Sequence, residues 1–150
     1  MQLDILYATV SGNAEAVAKK LEELAKEDGY VTNLNELNFH TVKTFKELKN
    51  VAIITSTYGE GDVPEMGLDF WEELKDSNDK LTDMKYGLIA LGDRSHEVFC
   101  GAGKKISKKL EDLKAKKVIE NLECDGDTDG TDEWSVKFLN KLKAFGYTKK

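Results

Sequence analysis

Apolar and polar positions change period repeatedly along this chain. Gln2 to Ala8 is an apolar run, which reads as a strand. From Asn13 to Asp28, Val17, Leu21, Leu24 and Ala25 recur at helical spacing, with Lys19, Lys20, Glu22 and Glu23 on the other face. Gly29 stands where a helix C′ glycine belongs. Tyr30 to Leu37 alternates loosely and predicts a second strand, and Val42 to Leu48 a short helix with Phe45 and Leu48 inward. Val51 to Ser56 is almost continuously apolar, the signature of a strand buried on both faces.

The second half repeats the scheme. Pro64 precedes a helix over Met66 to Lys75, with Leu68, Phe70, Trp71 and Leu74 as its apolar set. Tyr86 to Leu91 predicts a fourth strand and Gly103 to Leu113 a helix with Ile106, Leu110 and Leu113 on one face. Lys117 to Cys124 predicts a fifth strand. Glu133 to Phe145 closes the chain as a helix with Val136, Leu139 and Leu142 inward. Five strands alternating with helices predict an α/β domain, a doubly wound parallel sheet with helices on both faces and right-handed crossovers. Its ligand belongs at the carboxyl ends of the strands.

At 150 residues the expectation is a single domain over 1–150. The net charge of −6 argues against nucleic-acid or anionic-membrane partners and suits basic protein surfaces. Two cysteines, Cys100 and Cys124, make neither a CxxC pair nor a zinc spacing. With no targeting segment in view and no apolar run near the ~20 residues a bilayer needs, the expectation is a cytoplasmic monomer.

Three loops carry the candidate chemistry. Thr9-Val10-Ser11-Gly12-Asn13-Ala14 joins the first strand to the first helix, and a helix N-terminus offers free N–H groups and a positive dipole end to a phosphate. The alternative is that these residues only cap the helix. Ser56-Thr57-Tyr58-Gly59 leads into Glu60-Gly61-Asp62, where glycines permit close approach to a flat ligand and Tyr58 offers a stacking ring. Leu91-Gly92-Asp93 begins a third loop containing His96 and ending at Phe99-Cys100. A phosphate cradle and two glycine-plus-ring loops on one sheet edge suit a planar ring with a phosphate tail. No G-x-G-x-x-G follows the first strand, and Gly101-Ala102-Gly103 is only a fragment of such a motif.

These runs resemble the short-chain flavodoxins, the FMN domains of diflavin reductases and the small MioC flavoproteins, over essentially the whole chain. The resemblance implies a flavodoxin-like sheet of order 2-1-3-4-5 and non-covalent FMN. Its phosphate would lie on Thr9 to Ala14 and its ring between Ser56–Gly59 and the loop from Leu91 to Cys100. His96 stands where relatives carry a stacking tyrosine, and Lys114 where they usually carry glycine. Asp125 and Asp127 correspond to an acidic loop near the flavin. The implied role is a low-potential one-electron carrier, not an enzyme, between a flavodoxin reductase and an acceptor enzyme, with no catalytic residue and no metal. Carboxylates near the ring, with Glu60, Asp62 and Asp93 as candidates, would lower its potential, and the same acidic rim, with Glu65, Asp69, Glu72 and Glu73, would steer basic partners. The rival readings are a contact module on the same scaffold with weak or lost FMN binding, and a flavin-dependent quinone or NAD(P)H reductase.

Overall fold

The computed structural model describes residues 1–10, 12–57, 61–92, 100–125 and 127–148. The strands are β1 (Gln2–Ala8), β2 (Val31–Glu36), β3 (Asn50–Ser56), β4 (Lys85–Gly92), β5 (Lys116–Lys117) and β6 (Leu122–Asp125). The helices are α1 (Asn13–Glu27), α2 (Val42–Phe45), α3 (Glu65–Lys75), α4 (Gly101–Asp112) and α5 (Thr131–Thr148). All strand pairs are parallel. The order is β2-β1-β3-β4-β5, with β6 also on β4, so five strand positions run in the expected order.

The two sheet faces each bury a core. Leu6, Val51, Ile53, Tyr86, Leu88 and Ala90 face Phe70 and Leu74 of α3 and Ile106 and Leu110 of α4. Leu3, Ile5, Ala52, Ile54 and Ile89 face Val17 and Leu21 of α1 and Trp134, Phe138 and Leu142 of α5. Successive strand residues therefore enter opposite cores, which is why β3 and β4 read as unbroken apolar runs. Gly103 is where α4 meets the sheet: a Cβ there would stand 2.5 Å from the Ala90 Cβ. The glycine of the nucleotide-like fragment is thus a packing residue.

The predicted fifth strand, Lys117 to Cys124, is not continuous. Lys117 pairs with Tyr86 and Leu122 with Ile89. Val118 to Asn121, four residues, stand opposite Gly87 and Leu88 alone, and the strand splits at this bulge. Trp134 ties it down, its indole Nε1 donating to the Glu120 carbonyl at 2.9 Å. The phase of α5 also differs from expectation. Val136 is 48% exposed, while Trp134 and Phe138 turn inward and stack with ring centroids 5.0 Å apart. In α3, Leu68 is 37% exposed, so Phe70 and Leu74 anchor that helix.

Two helices end in the same way. After α1, Gly29 has φ +89°, its N–H bonds the Lys26 carbonyl, and Tyr30 N–H bonds the Ala25 carbonyl. After α4, Lys114 has φ +75°, its N–H bonds the Glu111 carbonyl, and Ala115 N–H bonds the Leu110 carbonyl. Both are Schellman closures whose C′ residue is left-handed. A lysine pays for this conformation in steric strain that glycine escapes. Lys114→Gly is expected to stabilise the fold by about 1 kcal/mol, read as a higher urea midpoint. An unchanged or lower midpoint would contradict this.

His40 is buried beside α2. Its Nδ1 lies 3.1 Å from Thr44 Oγ1, and its Nε2 has no partner. Burial holds its pKa below the usual value, with the Asp4 carboxylate opposing. The native state therefore favours neutral imidazole. The resulting stability is complete above the unfolded value of about 6.5 and is lost as pH falls through it toward the folded value. Urea midpoints measured from pH 7.5 down to 5.5 should fall more steeply for the parent than for His40→Asn. Parallel slopes would contradict the assignment.

Candidate functional site

The parallel register gathers the loop starts on one edge. Ala8 pairs with Thr55, Ser56 with Leu91, and Gly92 with Asp125. Thr9, Thr57 and Gly92 therefore emerge side by side at the carboxyl ends of β1, β3 and β4. Asp125 closes the row.

The β1–α1 turn is built around Thr9. Its Oγ1 accepts from Gly12 N–H at 2.8 Å and Ala14 N–H at 3.3 Å. The capping alternative is thus part of the answer, although the capping oxygen lies three residues upstream of Gly12. Gly12 itself has φ +98°, and nothing lies within 4 Å of a Cβ built on it. Left-handed backbone and open space together leave the positive end of α1 open to approach. Val10 is exposed beside it, while Ala14 is fully buried with its N–H donated to Thr9 Oγ1. Asn13 opens the helix.

At the end of β3, Ser56 is buried, and the Thr57 hydroxyl is also buried with no hydrogen-bond partner. A buried polar group without a partner costs about 1–3 kcal/mol unless a ligand or water satisfies it. At the end of β4, Leu91 is buried in the core and Gly92 lies against Cys100, where a Cβ would meet Cys100 N at 3.0 Å. Cys100 has φ +53° and turns its thiol inward, 3.5 Å from the Ala90 carbonyl. Burial pushes that thiol up to about 11, and Cys124 likewise. Cys100 is fully buried and turns its sulfur away from the edge. Asp127 uses Oδ1 to accept from Asp129 N–H at 3.1 Å in the turn after β6. Ser11, Tyr58, Gly59, Asp93, His96 and Phe99 lie outside the described residues.

The sequence reading missed a neighbouring cleft of about 930 Å³. Thr9, Val10, Val63, Pro64, Met66 and Leu68 give it apolar and hydroxyl walls, and Asp62, Glu65, Asp69 and Glu72 line it with carboxylates. Asn38 secures its far side, with Nδ2 donating to the Glu65 carbonyl at 2.9 Å and Oδ1 accepting from Phe70 N–H at 3.0 Å. The signal available in sequence was the run of acids after Pro64 at helical spacing. Among the described residues, no group of His, Cys, Asp and Glu is placed to hold a metal ion, and no helix is long and apolar enough to cross a membrane.

Residues 5–137 match the flavodoxin family. The chain belongs to that family. Relatives include the sulfite reductase NADPH flavoprotein alpha-component of Vibrio parahaemolyticus, 37% identical over 95% of this chain and 23% of that protein. The Bacillus subtilis counterpart is 31% identical over 97% of this chain and 24% of its own length. The chain thus spans about a quarter of the length of these curated relatives. Among solved structures, a flavodoxin of Streptococcus pneumoniae TIGR4 superposes with TM-score 0.83 at 26% identity, covering 96% of this chain and 99% of that one. A cysteine-substituted flavodoxin of Pseudomonas aeruginosa gives TM-score 0.83 at 26% identity, covering 95% of this chain and 99% of that one. Family membership makes this flavodoxin an FMN-binding electron carrier. The residues present fit that cofactor on two observations: the space beside Gly12 is open, and the Thr57 hydroxyl lacks a partner.

Proposed function

We propose that this flavodoxin is a low-potential one-electron carrier between a reductase and an acceptor enzyme, both with basic docking surfaces. In this reading it has no reductase activity of its own and works as a cytoplasmic monomer. The observation that carries the proposal is the convergence of Gly12, Thr57 and Gly92 on one sheet edge. FMN, when bound, supplies the one-electron chemistry.

The chain's own residues bind and tune. First-turn N–H groups of α1, Asn13 among them, receive the phosphate with the helix dipole behind them. Thr9 holds the turn by accepting two N–H groups, which leaves its hydroxyl proton free to donate outward. The Thr57 hydroxyl, buried without a partner, is a group that would hydrogen-bond the cofactor. Tyr58, Gly59, Asp93, His96 and Phe99 are assigned to the ring, and Ser11 to the phosphate, on the resemblance. Asp125 and Asp127 add negative charge at the row's end. Carboxylates near the ring disfavour added electrons and so lower the potential. Asp62, Glu65, Asp69 and Glu72 guide a basic partner to the same edge.

Stopped-flow reduction of cytochrome c, a basic haem protein, tests the docking half of the proposal. The FMN-loaded, dithionite-reduced protein should react more slowly as salt rises. Asp69→Lys with Glu72→Lys should lower the low-salt rate roughly tenfold. A rate indifferent to both changes would sink the acidic docking face.

A further inference from the structure

The acidic cleft has a neighbour of opposite sign. Residues 104–117 hold seven lysines against two carboxylates, Glu111 and Asp112, in a chain whose net charge is −6. The structure gathers six of these lysines on α4 and at its C-terminal end. In α4, Ile106, Ser107 and Leu110 face the core, while Lys104, Lys105 and Lys108 are exposed. Lys114 continues the exposed strip past the helix end, while Lys116 turns to the other sheet face, toward Phe145 of α5.

Four of these lysines meet carboxylates. Lys104 lies 3.9 Å from Glu123, Lys105 3.5 Å from Asp62, Lys108 3.7 Å from Asp112, and Lys117 3.1 Å from Glu111. All four are surface pairs, worth little and screened by salt. Among the described residues, Lys109 and Lys114 have no carboxylate within bridging distance, and Lys116 only overlies the Phe145 ring at 5.4 Å. The strip therefore keeps a surplus of positive charge after its own pairs are counted. The Lys105–Asp62 pair joins its first turn to the acidic cleft, so the strip starts at the rim of the cofactor edge.

Lys114 adds an independent observation. It holds a left-handed backbone conformation, φ +75°, in a closure that at Gly29 is made by glycine. Strain kept at an exposed position points to a role for the side chain.

We propose that the α4 strip is a docking surface for a protein with an acidic face. The acidic cleft and the basic strip then select different partners, of opposite charge. Charge complementarity supplies the specificity, because like-signed surfaces repel at the same distance.

The test uses the full chain, poly-L-glutamate as the acidic polypeptide probe, and fluorescence anisotropy at low salt. The parent should bind and lose binding as salt rises. Lys108→Glu combined with Lys109→Glu and Lys114→Glu should weaken binding roughly tenfold while circular dichroism stays native. Lys114→Gly separates charge from fold: it should raise the urea midpoint and still weaken binding. Asp69→Lys with Glu72→Lys should not weaken it. Absence of binding by the parent, or equal binding by the triple variant, would overturn the proposal. Equal or tighter binding of duplex DNA or phosphatidylserine vesicles would overturn the choice of an acidic protein.

Discussion

Gly87→Ala is expected to destabilise the fold by about 3 kcal/mol, the upper part of the usual range for overpacking a core. An added Cβ would stand 2.6 Å from Phe138 Cδ1, 2.7 Å from Phe138 Cε1 and 2.8 Å from Trp134 Cη2. Something must move, and little can. The two rings are stacked at 15° between planes, and Trp134 is pinned through Nε1 to the Glu120 carbonyl. Moving the indole would release the backbone of the split fifth strand. Urea unfolding followed by circular dichroism measures the loss. Phe138→Leu in the same chain should restore part of it by making room, a coupling that independent sites do not show. A Gly87→Ala midpoint equal to the parent's would contradict the packing described.

Gly12→Asp is expected to leave the fold standing and lower FMN affinity by more than a hundredfold. Aspartate is among the side chains that best tolerate a left-handed backbone, and no atom lies within 4 Å of the new Cβ. The fold therefore stands, weakened by about 1–2 kcal/mol of backbone strain. The cradle does not, because a carboxylate would enter the space assigned to a phosphate. Two unit charges 4 Å apart repel by about 4 kcal/mol at an effective dielectric constant of 20. Gly12→Asn has nearly the same shape without the charge and should lose far less. Quenching of FMN fluorescence on titration measures all three affinities. Similar losses for aspartate and asparagine would show that shape, not phosphate charge, matters at this turn.

Much of this was legible in the sequence, because the period of burial follows directly from sheet and helix geometry. β3 and β4 read as unbroken apolar runs since each face has its own core. Gly29 announced the end of α1 because glycine adopts its left-handed conformation without strain. The fifth strand was not legible: two extra residues between Lys117 and Leu122 leave the apolar pattern of Val118 and Ile119 unbroken, and only the register against β4 exposes them. In α5, spacing alone favoured Val136, whereas the stacked Trp134 and Phe138 set the helix phase.

At the site, the turn chemistry of Thr9, Gly12 and Thr57 follows from residue types and their place at strand ends. The direction of Cys100 does not. Its neighbours suggested contact with the ligand, but the left-handed turn sends the thiol to the Ala90 carbonyl. The acids of α3 were legible as a rim, but not the cleft they line, because its other walls come from the β1–α1 turn and Asn38, segments far apart in the chain.

The central claim is that this chain holds FMN and moves electrons singly. Visible absorption during titration of the purified protein with FMN, followed by stepwise addition of dithionite, tests both parts in one cuvette. The account predicts uptake of one FMN per chain and reduction in two resolved one-electron steps. A protein that takes up no FMN, or one whose FMN is reduced in a single two-electron step, would contradict it.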